Sequence, residues 1–217
     1  KEAIKLLKNR PTTFDDCIKY AREKFQKYFV NDIRQLLFTY PLDHKTKEGT
    51  PFWSSPKRPP TEIQFDPTNI LHAQFIVACA CLRAVIFGVP FPSDVWKDSV
   101  KLKLAQEAAK IKVKDFRPSA EKAKAIASEV DSEAKKLAQN ANEEEKQAED
   151  QPTDEFEAYT KQFRDLITFL DRDDKGKIRQ VIFPEEFEKD NDKNFHIDFI
   201  HTLANNRAAD YKLEPMD

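Results

Sequence analysis

Residues 66–88, "DPTNILHAQFIVACACLRAVIFG", form the most apolar segment of the chain and set its architecture. Leu71, Phe75, Cys79 (or Ala78), Leu82 and Ile86 recur at helical steps as one continuous stripe, while Ile70, Val77, Cys81 and Val85 lie round the other side. A helix that is apolar over most of its surface belongs in the middle of a bundle. Asp66 or Thr68 opens it, and Gly88 with Pro90 beyond stops it near Phe87. The fold class expected is mainly α: a helical, bundle-like domain with a long proline-rich loop and minor β near the C-terminus.

This helix also holds two of the three cysteines in the chain. Side chains at i and i+2 diverge by about 200° on a helix of 3.6 residues per turn. The two sulfurs therefore neither chelate one ion nor form an unstrained disulfide. The four histidines, His44, His72, His196 and His201, show no ligand spacing that would complete a metal set. A nucleophilic thiol needs a lowered pKa from a helix N-terminus or a cation. Cys79 and Cys81 sit mid-helix among Ala, Val and Leu, which raises it, so both are expected to be packing residues.

Upstream, Thr13 with Asp16 three residues on resembles a capping box, with aspartate as the shorter partner. Phe14, Ile18, Ala21, Phe25, Phe29, Ile33, Leu36 or Leu37, and Tyr40 then follow in steps of three and four, so one amphipathic helix is expected as far as Pro41. Cys17 falls one step off that stripe. Before Pro11, Ile4, Leu6 and Leu7 suggest the last turns of an earlier helix without signal-peptide character, and the chain reads as part of something longer. Between the two helices, prolines at 51, 56, 59, 60 and 67 and Gly49 predict an ordered, non-helical loop. Phe52 and Trp53 are expected to anchor it, with Lys57 and Arg58 solvated.

Composition supports the helical reading. Three glycines in 217 residues are few for a strand-rich fold. With 36 basic against 38 acidic side chains, the chain lacks the basic excess of a nucleic-acid binder. No apolar run is expected to reach the length that spans a bilayer, so the chain reads as soluble with no membrane partner. Three cysteines are too few and odd in number for a disulfide framework, which favours a reducing compartment.

From about 94 to 180 the composition shifts to Lys, Glu and Ala. Residues 101–124 carry eight basic and three acidic side chains, and 129–157 carry three basic and eleven acidic. Ala123, Ile126 or Ala127, Val130, Ala134, Leu137 and Ala141 form a narrow stripe of mostly small residues, fitting a helix laid loosely on the domain. The acidic stretch after it predicts a mobile loop. Two calcium-loop look-alikes fail. In the first, Asp171, Asp173 and Gly176 fit but Lys175 and Ile182 stand at the fifth and twelfth positions where ligands should be; in the second, Asp190, Asp192 and Asn194 are followed by Phe195 and His201 in place of Gly and Glu. A short strand is expected from Val181 to Phe187. A helix should follow from about Asn194 to Tyr211, burying Ile197, Ile200, Leu203 or Ala204, Ala208 and Tyr211.

Three stretches carry a resemblance. Phe52, Trp53, Ser54, Pro56, Lys57 and Arg58, with Asp66, Leu71 and His72 downstream, closely resemble a segment of the ubiquitin-activating enzymes. So do Phe187 to Asp190, Asp192, Asn194 to His196, Asp198 to Ile200, Asn205, Arg207, Ala208 and Tyr211, and the helix end Asp32 to Pro41. Asn206 departs from the Leu usual in that family, and 94–180 departs throughout. The resemblance implies an ATP-dependent ligase that passes ubiquitin from an adenylate to a cysteine thioester and on to a conjugating enzyme, in cytoplasm and nucleus. It places residues 1–184 in the C-terminal portion of the second catalytic-cysteine half-domain, with 94–180 as a variable charged insert. Residues 185–217 would re-enter the adenylation domain. The family's Pro-x-Cys-Thr-type motif has no match here, so none of Cys17, Cys79 and Cys81 inherits the nucleophile's role. The resemblance assigns no catalytic, cofactor-binding or metal residue to this chain; ATP and magnesium belong to the parent. Activation of another ubiquitin-like modifier, or an independent helical interaction module, are the alternative readings.

Overall fold

The computed structural model describes residues 9–128, 158, 160–162, 164–165, 182–191 and 193–216. The helical pattern at Ile4 to Leu7, the narrow stripe at Val130, Ala134, Leu137 and Ala141, the first calcium-loop look-alike up to Val181 and most of the acidic stretch lie outside these residues.

Helix α1 (Phe14–Gln26) starts where the capping box requires. The Asp16 N–H donates to Thr13 Oγ1 at 3.2 Å, and the Thr13 N–H returns the bond to Asp16 Oδ2 at 2.9 Å. Aspartate's short reach therefore suffices. Hydrogen bonds from the backbones of Thr12 and Thr13 hold its carboxyl down at about 2.

The single helix expected to Pro41 is instead interrupted. A π-helical turn spans Lys27–Asn31, and α2 (Asp32–Thr39) continues from it. Ala21, Phe25, Phe29 and Ile33 are spaced by four, which overshoots a 3.6-residue turn by about 40° at each step. The wide turn absorbs that drift, and all four side chains are buried.

The proline-rich loop is anchored as expected. Phe52 stacks on Tyr40 with ring centroids 4.2 Å apart, and Trp53 Nε1–H donates to the Tyr40 carbonyl at 2.9 Å. Arg34 of α2 grips Glu62 of the loop through two hydrogen bonds. The loop's one isolated bridge pairs Lys45 with Pro51.

Helix α3 (Ile70–Phe87) begins at neither Asp66 nor Thr68 but on Asn69, whose Oδ1 accepts the Leu71 N–H at 2.9 Å. Asp66 is occupied with Thr68, accepting its N–H at 2.8 Å in a local turn. Gly88 ends the helix at φ 63, and a Cβ built there would lie 2.6 Å from the ring of Phe183. Handedness and close approach both call for glycine.

Around α3 pack α1, α4 (Asp98–Ala109) and α5 (His196–Asp210). Helix α4 lies inside the charged region and was not singled out by the sequence. It docks through the fully buried Ala105 and Ala108, whose small side chains allow close approach. The start of the next helical segment, 120–128, is tied to α2 by Gln35, which exchanges two hydrogen bonds with the backbone of Ser119.

By length and composition α3 could cross a bilayer, contrary to the sequence expectation, with a mean hydropathy of 2.0. Here three helices cover it, and ten of its residues from His72 to Ala84 are buried.

Two expectations for the C-terminal part change. Among the described residues, 182–187 form no strand. Phe183 N–H donates to the Ile86 carbonyl at 2.7 Å, so this segment runs along the end of α3 with no sheet partner. In α5, Ile197 and Ile200 face outward at 44% and 49% exposure, while Thr202, Asn205, Asn206 and Asp210 are inside. The helix is rotated by about one residue from the expected face because Phe199 and Leu203 pack with the α1–α3 core.

Candidate functional site

The side chains best equipped for chemistry are the three thiols. All are free and buried. Cys17 is fully enclosed rather than beside the stripe, because α3 closes over the first turn of α1. Burial pushes its thiol up to about 11, against the pull of Arg83. Cys79 is pushed up to about 12, and Cys81 further still, again by burial. Cys79 packs with Phe25 and Phe75, whereas Cys81 packs with Val95 and Phe195. The divergence expected from i, i+2 spacing is thus realised in two separate clusters.

Each histidine works locally. The Asp66 N–H donates to His72 Nδ1 at 3.0 Å, leaving the proton on Nε2, and burial lowers the ring's pKa. His44 packs edge-on against Tyr40 and Phe52. Phe187 stacks on His196, whose Nδ1 accepts the Glu188 N–H at 3.1 Å. His201 Nε2 lies 3.0 Å from the Met216 carbonyl. Among the described residues no group of three His, Cys, Asp or Glu side chains could hold a metal ion.

The second calcium-loop look-alike is a structural turn. Asn194 spends its carboxamide on the Glu188 carbonyl at 2.8 Å and on the His196 N–H at 3.0 Å. Phe195 occupies the left-handed region at φ 62, is buried, and lies flat on Trp96 with centroids 4.0 Å apart.

The stretches that carried the resemblance meet in space. The Thr61 N–H at the end of the proline-rich loop donates to the Asp210 carbonyl at 2.6 Å, closing the loop onto the last turn of α5. A hollow of about 440 Å³ is lined there by Trp53, Pro56, Lys57, Arg58, Tyr211 and Leu213. A larger hollow of about 840 Å³ lies at the start of α1, where Arg10, Lys19, Lys24, Lys27 and Arg83 outnumber Asp16 and Glu23.

The family model for the SCCH domain of ubiquitin-activating enzymes matches residues 1–217. The chain belongs to the ubiquitin-activating enzyme family. It is 39% identical over 211 residues to ubiquitin-like modifier-activating enzyme 1 of Dictyostelium discoideum, covering 97% of this chain and 19% of that protein. Over 214 residues it is 36% identical to a ubiquitin-activating enzyme of Candida albicans, covering 98% of this chain and 19% of the relative. The human ubiquitin-like modifier-activating enzyme 6 is 33% identical over 222 residues, covering all of this chain and 19% of its own length. The chain thus spans about a fifth of the length of these relatives.

The residues that resemble the ubiquitin-activating enzymes have structural work in this segment. His72 secures the loop ahead of α3, and Arg207 lies over the ring of Phe29 at 5.8 Å. Asn205 clamps the outgoing chain by accepting the Met216 N–H at 2.9 Å and donating to its carbonyl at 2.8 Å. Sequence reasoning missed the buried pair Asn206 and Asp210, since nothing in a helical pattern marks polar side chains as internal.

The buried thiols set an expectation for alkylation across pH 5 to 9. Labelling of Cys17, Cys79 and Cys81 requires opening of the core, so it should run on the order of a thousandfold or more slower than in the unfolded chain. Any of the three that labels quickly near neutral pH, as read by mass spectrometry, refutes the burial.

Proposed function

We propose that this chain is the C-terminal portion of the second catalytic-cysteine half-domain of an ATP-dependent ubiquitin-activating enzyme. Residues 1–184 are the half-domain portion and 185–217 lead back into the adenylation domain. The parent forms a ubiquitin thioester and passes it to a conjugating enzyme, in cytoplasm and nucleus. This segment is a scaffold beside the thioester and a face toward ubiquitin or the conjugating enzyme. The observation that carries the reading is a family match over the full chain combined with three thiols that are all buried with raised pKa values. Buried thiols with raised pKa values are poor acyl acceptors, which supports a nucleophile elsewhere in the parent.

Phe187, Ile197, Ile200, Leu213 and Met216 are exposed apolar side chains around α5 and the chain after it. They support a reading in which the adenylation domain packs against this side. Three unpaired cysteines suit the reducing compartments named. On this reading ATP and magnesium are handled by the remainder of the parent. Two of the relatives are named for ubiquitin-like modifiers, which favours one second reading, the same reaction on another modifier.

The test is a thioester assay with ATP, magnesium and ubiquitin, read on non-reducing gels. The parent is expected to form the thioester, also when Cys17, Cys79 and Cys81 are all replaced by alanine or serine in a folded enzyme. The 217-residue chain alone should form none. Thioester on any of the three cysteines overturns the proposal, and a parent that charges only a different modifier selects the second reading.

A further inference from the structure

Asn206 and Asp210 stand one turn apart on α5, and both are fully buried. Each keeps one oxygen, Asn206 Oδ1 and Asp210 Oδ1, with no hydrogen-bond partner among the described residues. The amide of Asn206 cannot be reversed to escape this. Its Nδ2 donates to the Thr202 carbonyl at 2.8 Å, and a flip would set oxygen against oxygen. Side chains four residues apart on a helix are neighbours. Two buried acceptors one helical turn apart thus lack a donor among the described residues, and one proton would supply it for both.

We propose that Asp210 is held as a neutral carboxylic acid whose Oδ1–H donates to Asn206 Oδ1, so that a proton closes the seam between α5 and the proline-rich loop. The seam is the 2.6 Å hydrogen bond from the Thr61 N–H to the Asp210 carbonyl, made by the same residue that carries the acid. When the proton leaves for solvent, a carboxylate oxygen faces the Asn206 oxygen with nothing between them. The last turn of α5 and the loop at 61–63 then part more readily.

The charges around Asp210 do not reverse this. On its own helix, Arg207 Nη1 lies 3.2 Å from Asp210 Oδ2, but the Arg207 side chain is 38% exposed and its pull is shared with solvent. From α2, Asp32 draws on the same guanidinium, together with Lys27, Lys122 and Lys24. From the loop, Glu62 is engaged with Arg34, and the backbone amide of Ile63 favours the Asp210 carboxylate. Burial outweighs these and pushes the Asp210 carboxyl up to about 7.

The direction with pH follows. Between the ordinary carboxyl range and about 7, the closed seam holds a proton that the opened seam releases. Opening therefore becomes easier as pH rises, by about tenfold per unit for one proton, and levels off above about 7. The experiment is hydrogen–deuterium exchange, corrected for intrinsic rates, on the full-length protein that carries this segment. In the wild type, protection of peptides spanning 61–64 and 208–213 should fall by about a hundredfold from pH 5 to pH 7 and then flatten. Asp210→Asn keeps a donor toward Asn206 and cannot ionise, so its protection should not change with pH. A flat wild-type profile, or the same slope in both proteins, overturns the proposal. An infrared difference spectrum of the wild type between pH 5.5 and 8.5 gives a readout that needs no variant. A carbonyl band of a protonated carboxylic acid should vanish at the higher pH, and its absence throughout also overturns the proposal.

Discussion

Phe25→Ala is expected to lower the stability of the protein by about 3–5 kcal/mol, the range for emptying a buried aromatic site. Phe25 is fully enclosed, with its ring 4.8 Å from Phe29, 5.0 Å from Phe65, 4.9 Å from His72 and 5.7 Å from Phe75. It is the point where α1, the π-helical turn, the end of the proline-rich loop and α3 converge. Domains of this kind are stable by only about 5–15 kcal/mol, so one side chain carries a large share. Urea unfolding followed by circular dichroism should show a lower midpoint at unchanged slope. Leu42→Ala, at a side chain 69% exposed, is the control and should move stability by less than about 0.5 kcal/mol. A loss under about 1 kcal/mol for Phe25→Ala would mean that the ring cluster is not the core.

Phe195 yields the second large effect, with an inverted order of substitutions. Its ring is buried against Trp96 and Phe91, so removing it costs about 3–5 kcal/mol. Its backbone sits at φ 62, where a residue with a Cβ is strained by about 1–2 kcal/mol. Alanine keeps that strain and loses the ring; glycine loses the ring and relieves the strain. Phe195→Gly should therefore be more stable than Phe195→Ala by about 1 kcal/mol, the reverse of the usual preference for alanine next to a helix. Equal losses, or a more stable alanine variant, would show that the left-handed turn before α5 does not persist in solution.

The elements most legible in the sequence were those in which local chemistry and core packing agree. Thr13 and Asp16 are three residues apart, and a capping box needs only that spacing, so the start of α1 followed directly. The all-round apolarity of 70–87 demanded a central helix, and α3 is central. The divergence of Cys79 from Cys81 is a property of any α-helix. The π-helical turn was less legible, although four-residue spacing from Ala21 to Ile33 is its trace.

Helix α5 shows why the rest was not. Ile197, Ile200 and Ala204 form one acceptable helical stripe, and Phe199, Thr202, Leu203, Asn206 and Asp210 form another. A hydrophobicity count favours the first, but the protein turns the second inward, burying Thr202, Asn206 and Asp210 and packing Phe199 and Leu203 against the core. The polar members are internal because neighbouring groups take up much of their hydrogen-bonding capacity. Thr202 Oγ1–H bonds the Asp198 carbonyl at 2.7 Å, Asn206 bonds the Thr202 carbonyl, and Asp210 receives Arg207.

The mainly helical class, the central helix with its divergent thiols, the anchoring of the loop by Phe52 and Trp53, and the family through motifs dense enough to be specific are all legible in the order of residues. The helices rest on geometry that needs no partner, the loop on aromatic side chains within a short stretch of sequence, and the family on the order and spacing of its motifs. Tertiary structure alone decided that Cys17 is enclosed, that Ala105 and Ala108 dock a helix from the charged region, and that α5 turns polar residues inward. Each depends on which surface arrives from a distant part of the chain. Periodicity names the faces a helix could bury, and packing selects among them.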